Sequence, residues 1–199
     1  MFLVERGLPG FTVSRKLDKM GMRASDTAEL AFHDCPVPAE NLLGVEGRGF
    51  QQLASGLQRE RIMAARARSR GAAQALEDTH GLHPRAPRLR RAAQRASRRC
   101  GTAMADMATE IEAARAPRLP GRRSSTTTAT DCITEVSMAK LFATEVANRV
   151  AYQAVQLHGG YGYMREFPVE RFFRDVRLWT IASGTSEIMK EIIAKRLAL

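Results

Sequence analysis

One carboxylate interrupts an otherwise apolar stripe: Phe50, Leu53, Leu57, Glu60 and Ala64 recur at spacings of three and four, which places all five on one face of a helix. A carboxylate set among apolar neighbours is poorly hydrated in its charged form and gains basicity, the property needed to take a weakly acidic proton from carbon. The plainer role for such a residue is an ion pair with a basic neighbour across a bundle. A second candidate is Gly184, Thr185, Ser186 and Glu187, which open a helix carrying Ile188, Ile192, Ile193 and Leu197 with a hydroxyl at the cap and an acid in the first turn. The N–H groups of such a terminus can cradle an anion. A third is Gln156, Leu157, His158, Gly159 and Gly160, where the two glycines stop a helix and let backbone approach a ligand closely. His158 by itself is a poor candidate for catalysis. Neither GxGxxG nor GxxxxGKS occurs, so nicotinamide and nucleoside-triphosphate chemistry lose their usual support.

The elements that must position these residues follow from periodicity. Residues 1–45 read as strands and turns: Phe2-Leu3-Val4 and Phe11-Thr12-Val13 flank Gly7 and Pro9-Gly10, Thr27 to Phe32 alternates polar with apolar, and Pro36-Val37-Pro38 closes the β part. Gly47-Arg48-Gly49 precedes the helix of Glu60. From Ile133 a helix places Val136, Ala143, Val146, Val150, Ala154 and Leu157 on one face and Met138, Leu141 and Phe142 on another, so both faces are predicted to be buried, as in a helix bundle. Residues 66–131 fit none of this. His83-Pro84-Arg85-Ala86-Pro87-Arg88 and Pro117-Arg118-Leu119-Pro120 break helices, so 66–104 and 116–130 are predicted to be loop-like, with Met104 to Arg115 kept as a short helix.

A chain of 199 residues with 44% hydrophobic content can bury one compact core. Its formal charge of +10 invites a nucleic-acid reading. Location argues against it: Arg66 to Arg123 holds fourteen Arg, no Lys and five acids, a net of +9, with no aromatic residue interleaved to stack on bases. The N-terminus lacks a signal-peptide pattern and no apolar run is long enough to span a bilayer. Cys35, Cys100 and Cys132 are odd in number and show no CxxC spacing, which points to a reduced, cytoplasmic setting with neither disulfide nor metal site.

Four stretches resemble the acyl-CoA dehydrogenase family: Arg15 to Thr27 (RKLDKMGMRASDT), Val37 to Gly44 (VPAENLLG), Gln156 to Tyr163 (QLHGGYGY) and Gly184 to Ile188 (GTSEI). The resemblance implies a mainly α chain, a C-terminal four-helix bundle over 46–199 preceded by a remnant of the family's middle β domain over 1–45. It also implies FAD at a subunit interface of a homo-oligomer, an acyl-CoA thioester as substrate and electron-transfer flavoprotein as electron acceptor. Many members carry their catalytic Glu just before Gly-Thr-Ser, where this chain has Ser183, which cannot serve as a base. A subgroup resembling the long-chain and isovaleryl enzymes carries it on the first bundle helix before an Arg, which matches Glu60 and Arg61. By the same resemblance Gln58, Arg61 and Gly184 are substrate-contacting positions, Gln156 to Gly160 contact the ADP part of the flavin from the neighbouring subunit, and Thr185, Ser186 and Glu187 contact the flavin as well.

Two departures matter. The chain begins inside the family's β domain, so much of the acyl pocket lies outside these residues, and the chain alone is expected to be inactive. Where members carry Arg, Phe-Gly and Phe-Gln between the first two bundle helices, this chain reads Arg90 to Arg99 (RRAAQRASRR). Reading one base back from frame over Ala96 to Thr102 permits Phe-Gln-Ala-Val-Arg-His-Arg, and Arg123 to Thr130 likewise permits Gln-Leu-Leu-Asp. Paired frameshifts in the gene are the hypothesis this raises, and its nucleotide sequence is the test. The alternative to an enzyme is a non-catalytic helical module that self-associates or binds a partner through its bundle faces.

Overall fold

The computed structural model describes residues 1–82, 90–115 and 132–199, with the side chains of 90–98 left out. The chain divides into two units, Met1–Leu57 and Gln58–Leu199. In the first, β1 (Phe11–Lys16) pairs antiparallel with β2 (Ala28–Phe32). Phe11 lies opposite Phe32, their rings stacked at 5.0 Å, and the register slips between Val13 and Arg15. Gly10 is required beside this ribbon: its φ is +80° and a Cβ there would meet the His33 carbonyl oxygen at 2.1 Å. The strand predicted at Phe2-Leu3-Val4 does not form beyond one bridge from Phe2 to Leu42. Val13, Leu30 and Phe32 are more than half exposed, so the ribbon buries neither face, and a two-stranded sheet of this kind is marginal by itself.

Helix α1 (Gly49–Leu82) begins in the first unit, and the second is otherwise built from α2 (Arg90–Arg115), α3 (Ile133–His158), α4 (Pro168–Val176) and α5 (Ser186–Leu197). Helix α3 is central and packs against α2, α4 and α5. Its predicted inner face is buried: Val136, Ala143, Val146 and Ala154 are fully enclosed and Val150 nearly so. Burying each valine stabilises the fold by about 1.5–3 kcal/mol relative to exposure. Met107, Ile111 and Ala114 of α2, Val169 and Val176 of α4, and Ala65, Ala72 and Ala75 of α1 complete the core. The second predicted face of α3 is not covered, since Met138 and Phe142 stay exposed while only Leu141 is half-buried.

The prediction of a loop from Arg66 to Met104 is wrong over its first part. Helix α1 continues to Leu82, with Ser69, Ala72, Ala75 and Thr79 buried and Arg66 and Arg70 outside. These small residues at spacings of three and four make a flat stripe that helices can approach closely, so burial is obtained without large apolar side chains. The Ser69 hydroxyl donates back to the Ala65 carbonyl and reaches the Ala114 carbonyl of α2 at 3.5 Å. A Cβ at Gly71 would meet the Phe172 ring of α4 at 2.8 Å. The predicted short helix from Met104 to Arg115 is the end of a longer one that starts at Arg90. Pro84, Pro87 and residues 116–130 lie outside the described residues, as do the side chains of most of the Arg90 to Arg99 segment.

Candidate active site

The site forms where α1, α3 and the turn before α5 meet. That turn is set by backbone conformation: Ser183 and Gly184 both adopt left-handed φ values, +55° and +100°. A non-glycine residue in this region is uncommon, and its retention calls for compensating contacts. Two cations provide them. Arg61, buried on α1, donates from Nε to the Ser183 carbonyl at 3.0 Å, and Lys140, fully buried on α3, donates from Nζ to the Gly184 carbonyl at 2.5 Å. Gly184 cannot be larger without displacement, because a Cβ would meet Met189 Cε at 2.7 Å and Arg61 Nη2 at 3.3 Å. The turn then passes into α5, where the Thr185 hydroxyl oxygen accepts from the Ile188 N–H at 3.3 Å as an N-cap.

With both carbonyls drawn inward, the Ser183 hydroxyl donates to Glu60 Oε2 at 3.1 Å. Glu60, Arg61, Ser183 and Gly184, positions separated by more than 120 residues in sequence, are therefore one cluster. Glu60 is exposed in the chain as it stands, and so are Phe50 and Leu53, at 79% and 52%. The stretch is helical as predicted, but Glu60 is not desolvated by its own helix. Gln58 is buried, and its Oε1 has no hydrogen-bond partner among the described residues.

The electrostatics of the cluster are unusual. Burial pushes the Arg61 guanidinium below its ordinary range, offset in part by the charge of Glu60. Burial, and then the charge of Arg61, push Lys140 below the ordinary lysine value of 10.5, with Glu145 and Glu187 opposing. A lysine whose folded-state value is depressed costs stability at neutral pH, and the cost is relieved as pH rises toward 10.5, where the unfolded chain also loses the proton. Glu187, exposed at the start of α5, is held below the usual carboxylate range by its own backbone N–H and then by the Thr185 hydroxyl.

The glycine segment predicted to contact a cofactor lies at the other end of α3. Lys140 and His158 are 18 residues apart on that helix, about 27 Å along its axis. Gly159 terminates α3 at φ +58°, ψ −137°, a conformation open only to glycine, and its N–H bonds to the Gln156 carbonyl. Gln156, Gly159 and Gly160 are exposed, and a Cβ on either glycine would meet nothing within 4 Å. His158 is buried instead, its Nδ1 2.8 Å from the Ala154 carbonyl and its ring edge-on to Phe167, which is a packing role. Leu157 is half-buried against the core. Ser186 is buried with its Oγ lacking a partner among the described residues. Open glycine backbone after α3, and a capped helix terminus with an orphaned hydroxyl before α5, are separate places, each suited to one part of a large ligand with phosphate and polar ring groups such as FAD.

Lys140 was missed in the sequence because it reads only as a charge interrupting an apolar run. A fully enclosed position on the inner face of α3 is the feature that singles it out, and the register of that face with Val136 and Ala143 is the one signal that pointed there. The pairing of Arg68 with Trp179, guanidinium carbon 4.0 Å from the ring centroid, was likewise not anticipated.

The chain is similar over nearly its whole length to known proteins. A family model for the acyl-CoA dehydrogenase C-terminal domain matches residues 47–198. The mitochondrial long-chain specific acyl-CoA dehydrogenase of Rattus norvegicus is 40% identical over 99% of this chain and 45% of its own length. The crystal structure of acyl-CoA dehydrogenase from Geobacillus kaustophilus matches with a TM-score of 0.86 at 41% identity, covering 100% of this chain and 52% of that one. PigA with FAD and proline matches with a TM-score of 0.89 at 26% identity, covering 100% and 51%. The chain spans about half the length of the relatives it matches.

Proposed function

From the premise that this chain belongs to the acyl-CoA dehydrogenase family, we propose that it supplies the base and part of the flavin site of an FAD-dependent enzyme that converts acyl-CoA thioesters to their α,β-unsaturated forms. The observation carrying this is the 3.1 Å contact of Glu60 with Ser183. Family resemblance puts a catalytic Glu at one or other of these two positions, and their side chains meet in one place. Glu60 takes the α-proton of the thioester. Arg61 stays charged beside it and holds the Ser183 carbonyl, so the hydroxyl of that residue keeps its aim on Oε2. Gln58 and Gly184 line the substrate side of the same cluster.

FAD, when bound, supplies the acceptor for the hydride leaving the β-carbon. Thr185, Ser186 and Glu187 would hold it in one subunit, while Gln156, Leu157, His158, Gly159 and Gly160 would reach its ADP part from the neighbouring subunit, with His158 acting through its backbone. The molecule works as a homo-oligomer in this reading, and the exposed Met138 and Phe142 on the outer face of α3 are the residues a partner subunit would cover. Electron-transfer flavoprotein is the acceptor the family uses. A reducing, cytoplasmic setting suits the free Cys35, Cys100 and Cys132, although the rat relative is mitochondrial. Among the described residues no helix is long and apolar enough to cross a membrane.

The test is a spectrum. In protein carrying both this chain and the other half of the fold, a saturated acyl-CoA added without oxygen is expected to bleach the visible flavin bands. Yellow protein indifferent to short, medium and long acyl-CoAs would dismiss dehydrogenation, and colourless protein after FAD is added would dismiss the cofactor.

A further inference from the structure

We propose that Lys140 is a positioning residue: from α3 its ammonium holds the Gly184 carbonyl inward and, together with Arg61 on the Ser183 carbonyl, fixes the turn that delivers the Ser183 hydroxyl to Glu60. Its meaning for catalysis rests on Glu60 being the base, but the device itself does not.

Lys140 is fully enclosed, and no carboxylate lies within ion-pair distance of it among the described residues. The charged groups that act on it are Arg61 from α1, which repels it, and Glu145 of α3 and Glu187 of α5, which act from farther off. A buried ammonium compensated by a neutral carbonyl is expensive, and a second cation nearby adds to the expense. An apolar side chain in the same place would serve the bundle better, as the neighbours Val136, Ala139 and Ala143 do. What the lysine adds is local: one strong, charge-assisted donor at 2.5 Å on the carbonyl next to the one Arg61 holds. Consecutive carbonyls of Ser183 and Gly184, both in left-handed conformations, are thereby drawn to the same side. Without the second donor the Gly184 peptide is free to rotate, and with it the start of α5, whose Ile188 and Met189 amides bond to Thr185.

Hydrogen exchange on the full chain, followed amide by amide, separates this role from a structural one. In Lys140→Met the Ile188 and Met189 amides are expected to exchange roughly tenfold faster or more, while the amides of Val146 to Ala154 keep or gain protection. The thermal midpoint should not fall. Lys140→Gln, which retains an N–H donor without the charge, should show a smaller acceleration at the same two amides. Unchanged exchange there in both variants would overturn the proposal. So would equal loss of protection along α3, or failure of both variants to fold, since the cation would then be serving the bundle. No readout depends on turnover, so the assignment of Glu60 can fail while this result stands, and the reverse.

Discussion

Glu60→Gln in the complete, flavin-loaded enzyme is expected to lower turnover of acyl-CoA by roughly 10²–10⁴-fold, the usual worth of a positioned general base. The substitution is close to isosteric. The amide oxygen of Gln can still accept the Ser183 hydroxyl, now 3.1 Å from Oε2, so the turn before α5 keeps its partner. What is lost is the basicity needed to take the α-proton. Flavin should remain bound with an unaltered visible spectrum, because the segments proposed to hold it, Gln156 to Gly160 and Thr185 to Glu187, do not touch Glu60 by hydrogen bond. The measurement is kcat and kcat/KM beside the spectrum of the purified variant. Equal falls in both constants are the mark of an interaction made in the transition state. A variant with wild-type kcat would remove Glu60 from the role.

The 199 residues by themselves are expected to give no measurable acyl-CoA oxidation and no stable yellow complex with added FAD. Proton abstraction helps only when thioester and acceptor are held in line with the base, and such positioning supplies about 7–11 kcal/mol of barrier reduction. In this chain Glu60 is exposed. A carboxylate in that condition is hydrated, and nothing among the described residues covers it. Supplying the other half of the fold, joined or as a separate polypeptide, is expected to restore flavin binding first and turnover with it. Steady oxidation of an acyl-CoA by the chain alone, followed by appearance of the unsaturated product, would contradict this.

How much of the site was legible depended on whether a residue acts through its own chemistry or through its surroundings. Glu60 was visible because a carboxylate at helical spacing with Leu57 and Ala64 stands out in a pattern of apolar positions, and Arg61 was visible only through the family resemblance. Gly159 and Thr185 were visible because φ > 0 and an N-cap each demand particular residue types, and both ended or began a helix where predicted. The contact of Ser183 with Glu60 was not legible, because it needs the fold to bring α1 and the turn before α5 together. Lys140 was illegible for a different reason: whether a lysine on a helix is solvated or enclosed is decided by neighbouring helices. Helix α1 beyond Arg66 was misread because Ala, Ser and Thr carry little hydrophobicity each, although Ala72, Ala75 and Thr79 pack as tightly as valines elsewhere. The opposite error occurred on α3, where Met138 and Phe142 look like core and remain exposed in this chain.

Moving the base from position 60 to position 183 decides whether Glu60 and Ser183 share a catalytic position. If Glu60 and Ser183 point into one reacting volume, a carboxylate carried at position 183 can reach the proton that Glu60 takes. Four forms of the complete enzyme are compared: wild type, Glu60→Gln, Ser183→Glu, and the two substitutions together. The account predicts that Glu60→Gln is nearly inactive and that adding Ser183→Glu to it recovers roughly tenfold or more of the lost rate, with the same unsaturated product and bound flavin. A double variant no faster than Glu60→Gln, with flavin in place and the fold intact, would contradict the claim that these two side chains share one catalytic position.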